Sequence, residues 1–139
     1  MRIVIDLQGA QSASRFRGIG RYSMSLVKAI VRNCGQHEVF IVLNGMLSES
    51  VEGVRVAFRD VLPQQNIFEF NVLEPVDALE SENKWRVEVS ELIREKFIYD
   101  LSPDVVLVSS LFEGAEDNTV TSIAKYFKNI PTASVLYDL

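Results

Sequence analysis

Five short β-prone segments alternate with stretches of helical period, and this alternation constrains the chain more than any single motif. The segments are Ile3-Val4-Ile5, Val39 to Leu43, Ile67 to Phe70, Val105 to Val108 and Ala133 to Leu136. Several are unbroken apolar runs, the pattern of strands buried on both faces. Between them, Tyr22, Leu26, Ala29 and Ile30 form one helical stripe, and Trp85, Val89, Leu92, Ile93 and Phe97 form another. A further helix is expected near Glu49 to Asp60 and a weaker one around Val120 to Phe127. Asn33 and Gly35 can end the first helix, and Ser102-Pro103 closes the third. Strand-helix alternation implies βαβ crossovers, hence an α/β, Rossmann-like three-layer domain with a parallel sheet of about five strands. Ligands of such sheets gather beyond the carboxyl ends of the strands, near the point where strand order reverses.

At 139 residues the chain fits one domain, able to bury roughly two thirds of the surface its unfolded form exposes. Cys34 is the only cysteine and His37 the only histidine. A disulfide framework is thereby excluded, as is a zinc site built on several such ligands. No apolar stretch approaches the roughly 20 residues of a membrane span, and the first strand begins at Arg2 without a secretory leader. The expectation is a soluble cytoplasmic protein. A formal charge of −5 argues against nucleic acid as a partner, because neutralising phosphates needs a basic face.

Against that acidity, Arg15, Arg17 and Arg21 form an island with no acid between Leu7 and Ala29. They flank Gly18-Ile19-Gly20 in a loop expected to run from about Gln8 to Gly18, longer than the roughly two to six residues usual between strand and helix. Glycines allow close backbone approach, and the helix start offers free N–H groups to an anion. Arg21 sits where the helix dipole already places positive charge, a conflict that a bound anion removes. The run is not a dinucleotide fingerprint, since Ser23 stands where a third glycine is required, and no Gly-Lys-Ser/Thr makes it a Walker loop. The plainer alternative is a tight turn with solvated arginines. A side chain at Gly20 is expected to obstruct an anion while largely sparing the fold.

Three other places lie on the expected ligand side. Tyr137-Asp138 ends the fifth strand, where an acid can orient a sugar hydroxyl; equally, Asp138 can be a cap and Tyr137 half-buried packing. Ser109, Ser110 and Glu113 follow the fourth strand and suit polyol recognition, or an ordinary turn. Asp6 reads as a satisfied polar residue near its strand end. Glutamates separated by seven residues, Glu74 with Glu82 and Glu80 with Glu88, fall in an acidic segment where such spacing arises by chance. The third helix reads as a solvated charged face over its apolar stripe.

Met1 to Gly9, then Arg17-Gly18-Ile19-Gly20-Arg21-Tyr22-Ser23, then Val135-Leu136-Tyr137-Asp138-Leu139 together resemble the N-terminal domain of family four glycosyltransferases, in order across the whole chain. The glycine-arginine-tyrosine run is the most specific part. Many members have histidine at the position of Tyr137. The resemblance implies GT-B architecture: residues 1–139 would be a single acceptor-side domain, truncated after the fifth strand, with the donor-binding C-terminal domain absent. It implies a retaining enzyme moving a hexose, mannose as first choice, from a sugar nucleotide to a glycan or lipid-linked acceptor in polysaccharide assembly. The isolated domain would be inactive, and no metal or bound cofactor is implied. Arg17, Gly18, Ile19, Gly20 and Arg21 would approach the donor diphosphate; Asp138 and Tyr137 would be catalytic; Ser109, Ser110 and Glu113 would meet the acceptor. Implied partners are the missing domain and, for the full-length enzyme, a membrane surface. A non-catalytic Rossmann-like domain that binds a phosphorylated small molecule or a protein partner remains the alternative.

Overall fold

The computed structural model describes residues 1–76, 80–114 and 116–137. Five parallel strands, β1 (Arg2–Asp6), β2 (Glu38–Asn44), β3 (Ile67–Phe70), β4 (Val105–Val108) and β5 (Thr132–Ser134), form one sheet in the order β3-β2-β1-β4-β5. Among the described residues, three helices of more than one turn connect the successive strands from β1 to β4: α1 (Gly18–Asn33), α2 (Ser48–Phe58) and α3 (Lys84–Asp100). Strand order reverses between β1 and β4, so the switch point of this Rossmann-like fold lies between the loops that follow those two strands.

Alternation along each strand divides the core in two. Ile5, Val39, Ile41, Leu43 and Ile67 face α1 and α2, meeting Val27, Val31, Val54 and Phe58. Val4, Phe40, Val42, Phe70, Val106 and Val108 face the opposite way, toward Ile98 of α3 and Val120 beyond β4. Gly35, at φ +58°, supplies the left-handed residue just past α1. Ser102, at φ +53°, does the same after α3.

The stripe expected to dock α3 is largely on the wrong side: Trp85, Val89 and Leu92 are exposed, while Ile93 and Phe97 are half-buried against the core. The helix buries Ser90, Arg94, Glu95 and Ile98 instead. Electrostatics explains the rotation. Asp6 shares the α3 face of β1 with Val4, and its buried carboxylate accepts from Arg94 Nε at 2.6 Å and pairs with Nη2. Both residues are about 1% exposed. A carboxylate at that depth requires a cation, and apolar periodicity does not register one.

Among the described residues no helix forms over 120–127. The backbone donors of that segment go to a side chain instead. Glu95 accepts the N–H groups of Lys125, Tyr126 and Phe127 and the Ser122 hydroxyl, at 2.5–3.2 Å. Arg94 adds bonds from Nη1 to Ser122. The described part of the acidic connection, Leu73 to Val76 and Glu80 to Glu82, has only a short 3-10 turn at Ser81–Asn83; residues 77–79 lie outside the description.

Burial pushes the Glu95 carboxyl upward, but the hydrogen bonds from Ser122, Tyr126, Lys125 and Phe127 outweigh it and hold the group below its ordinary value. The folded state therefore binds this proton more weakly than the unfolded chain. The resulting stabilisation is complete above about pH 4.5 and is lost as pH falls through the folded-state value. Glu95→Gln is expected to lower unfolding free energy at neutral pH by about 1.5–3 kcal/mol and to flatten the acid limb of stability against pH, measured by urea denaturation. Arg94→Met strands Asp6 in the core and is expected to remove about 3–5 kcal/mol in the same assay.

Candidate functional site at the carboxyl edge of the sheet

The path from β1 into α1 is set by a chain of buried amides. Gln8 folds back so that its N–H and Nε2 donate to Asp6, at 2.9–3.1 Å. Its Nε2 also donates to the Val120 carbonyl at 2.7 Å, while its Oε1 accepts from Asn44 Nδ2 and the Val120 N–H. Gln11 bridges to β2, accepting the Asn44 N–H and donating to the Asn44 carbonyl and Ser50 Oγ. Asp6, Gln8, Gln11 and Asn44 are each at most 1% exposed. This network ties the ends of β1 and β2 to the stretch after β4.

After a single 3-10 turn over Gln8–Ala10 the chain loops outward and enters α1 at Gly18, so Gly18 to Arg21 form the first helical turn, not a loop. The turn is poorly capped. Arg17 occupies the N-cap position in extended conformation without a side-chain hydrogen bond, and no acid lies in the first turn. The Gly20 and Arg21 N–H groups donate to the Ser14 and Arg17 carbonyls, whereas those of Gly18 and Ile19 have no acceptor within the helix. Arg17 and Arg21 are exposed and form no ion pair among the described residues. Arg15 departs from the expected island: it pairs with Glu49 at 3.1 Å and lies 4.8 Å from the Phe16 ring centroid.

The two glycines of the turn differ in role. A Cβ on Gly18 would meet open space, while one on Gly20 would lie 2.2 Å from the Arg15 carbonyl oxygen. Gly20 is thus required for the loop to cross the helix start, which corrects the expectation that a side chain there spares the fold.

On the other flank, Gly9 packs against Ser109, Ser110 and Ser23, with its N–H donating to Ser109 Oγ at 3.1 Å. Ser109 and Ser110 are buried, and Ser110 Oγ donates to Glu113 at 2.9 Å. β5 ends at Ser134, three residues before Tyr137, rather than at Tyr137-Asp138. Tyr137 is half-buried, its hydroxyl 3.1 Å from Ser23 Oγ and donating to the Ser109 carbonyl at 3.2 Å, its ring edge-on to Tyr22. Burial raises the phenol, the Ser23 bond partly offsets this, and Tyr22 and Glu113 push it further upward. It is a neutral hydroxyl at physiological pH, suited to donating a proton in hydrogen bonds and unsuited to acting as a base. Asp138 lies outside the described residues.

The sequence reading thus located Gly18 to Arg21 and the serine turn on one sheet edge, and the structure connects Tyr137, Ser23, Ser109 and Gly9 directly. It missed Gln8, Gln11, Asn44, Arg94 and Glu95. The available signal was the polar sequence Asp6, Gln8, Gln11 following an apolar strand, since buried amides there need partners.

Fold and site define a Rossmann-like α/β domain whose cationic, poorly capped helix start stands beside its switch point. No family model and no solved structure matches the chain. Over its whole length it is 38% identical to a serotype-specific mannosyltransferase WbdA of Escherichia coli. Two further WbdA proteins of the same organism are 34% and 35% identical over 81% of the chain. The chain spans 17% of the first of these proteins and 14% of each of the others.

Gly20→Ala is expected to lower stability by about 1–3 kcal/mol through the forced contact with Arg15. Gly18→Ala should stay within about 0.5 kcal/mol of the parent. Thermal denaturation of the two variants side by side checks the distinction.

Proposed function

We propose that this chain is the N-terminal, acceptor-side domain of a retaining glycosyltransferase of GT-B architecture, which transfers mannose from a sugar nucleotide to a glycan or lipid-linked acceptor. The observation that carries the reading is its similarity, along the whole chain, to proteins named as mannosyltransferases. The same similarity disfavours a non-catalytic binding domain. The first turn of α1 supplies the chemistry this chain contributes. As the glycosidic bond to the donor breaks, negative charge accumulates on the departing nucleoside diphosphate, and donors fixed in advance stabilise it most. The Gly18 and Ile19 N–H groups and the Arg17 and Arg21 guanidinium groups fill that role, with Gly20 admitting the close crossing of Arg15 that sets the loop over this turn. The remaining donor contacts belong to a second domain, so this domain alone is inactive, because transfer requires closure around both substrates.

Glu113 presents its carboxylate to the acceptor side, with Ser110 hydrogen-bonded to it from within and Ser109 buried behind the turn. Tyr137 holds that turn against α1 through Ser109 and Ser23, and Asp138, next in sequence, is the candidate catalytic carboxylate. The enzyme acts in the cytoplasm, with its acceptor at the membrane surface.

Arg21→Glu separates function from stability. A carboxylate in the first turn complements the helix dipole and is expected to leave stability unchanged or raise it by about 0.3–1 kcal/mol. Sugar transfer by the intact protein should fall by about a hundredfold or more, measured by release of nucleoside diphosphate. Full turnover in this variant would remove the diphosphate role from α1.

A further inference from the structure

The groove between the β1–α1 loop and α2 is not used by the donor-facing turn, and it combines an apolar floor with an exposed aromatic ring and a carboxylate. It is an open groove of about 220 Å³, large enough to seat a single sugar ring. Its apolar floor comes from Ala10, Met24 and Val54, and Gly53 opens one wall because nothing lies within 4 Å of where its Cβ would be. Phe16 stands over it with 75% of its surface exposed. This ring is braced: the Arg15 guanidinium lies 4.8 Å from its centroid and is itself held by Glu49 at 3.1 Å. Glu49, whose side chain is 82% exposed, places carboxylate oxygens at the rim.

An aromatic face presents partial negative charge, which complements the C–H bonds on the face of a pyranose, while a carboxylate accepts from sugar hydroxyls. The same carboxylate disfavours a phosphate, and the nearest cation, Arg15, is already paired. We infer that this groove is a binding subsite for a neutral pyranoside of the acceptor glycan, stacked on Phe16 and hydrogen-bonded to Glu49. The inference rests on the glycosyltransferase reading and adds a second acceptor contact region, on the α2 side of the domain and separate from the Ser109–Glu113 turn.

Gly53 provides a selective probe. It lies inside α2, where replacing glycine favours the helix, and Gly53→Leu should fill the groove without disturbing the core. The protein would be titrated with mannobiose, and with gluco- and galacto-configured disaccharides, while amide shifts are followed by NMR. Saturable shifts centred on Phe16, Glu49 and Gly53, at least tenfold weaker in both Gly53→Leu and Phe16→Ala, are expected. Phe16→Ala alters an exposed side chain and keeps the test decisive if Gly53→Leu folds poorly. Shifts confined to the Ser109–Glu113 turn, affinities unchanged in folded variants, or no saturable shift with any of the three sugars would each overturn the inference. Guanosine and uridine diphosphates are titrated in parallel. Perturbation of Gly18 to Arg21 by a diphosphate without a sugar response in the groove would defeat the subsite alone, whereas no response at α1 would count against the donor reading itself.

Discussion

The buried pair of Asp6 and Arg94 is the interaction on which the arrangement of this domain depends. Removing two charges from water is expensive, and their attraction offsets that cost only when the remaining polar atoms are also satisfied. Here they are joined by Gln8, which donates to Asp6, and by Ser122, which accepts from Arg94. The pair therefore fixes three things together: the rotation of α3, the course of the segment after β4, and the direction in which the chain leaves β1. The last of these brings Gly18 to the edge of the sheet. The position of the candidate site is a consequence of how one carboxylate is neutralised.

Much of the framework was legible in the sequence. Short β-prone segments, several of them unbroken apolar runs, marked all five strands, although β5 lies at Thr132–Ser134 rather than at Ala133 to Leu136; the parallel sheet followed from their alternation with helices, and Asn33, Gly35 and Ser102 marked the ends of two helices. What could not be read was polar. The face of α3 was misassigned because Trp85, Val89 and Leu92 look like a core stripe, whereas burial follows Arg94 and Glu95. The helix expected over 120–127 was lost to the same cause, since Glu95 takes the backbone donors that a helix would have used. Periodicity records hydrophobic burial and has no term for a buried charge that satisfies a distant backbone.

The candidate site was legible as chemistry but not as geometry. Glycines and arginines in one run pointed to an anion, yet their division of labour needed coordinates: Gly18 leaves space, Gly20 allows Arg15 to cross, and Arg15 turns away to Glu49. In a chain of net charge −5, Arg17 and Arg21 are left as a local positive field around two unshared N–H groups. Ser109 and Tyr137 also changed meaning, because their polar groups already bond within the domain and tie its flank to α1. The sheet edge is thus closed by internal hydrogen bonds on the serine side, while Gly18, Arg17 and Arg21 are exposed at the helix start.

The most direct test of that account is a crystal structure of the intact protein with an unreactive sugar nucleotide bound. The account predicts diphosphate oxygens within hydrogen-bonding distance of the Gly18 and Ile19 N–H groups, with Arg17 or Arg21 alongside. A diphosphate bound elsewhere, with the first turn of α1 facing only solvent, would contradict it.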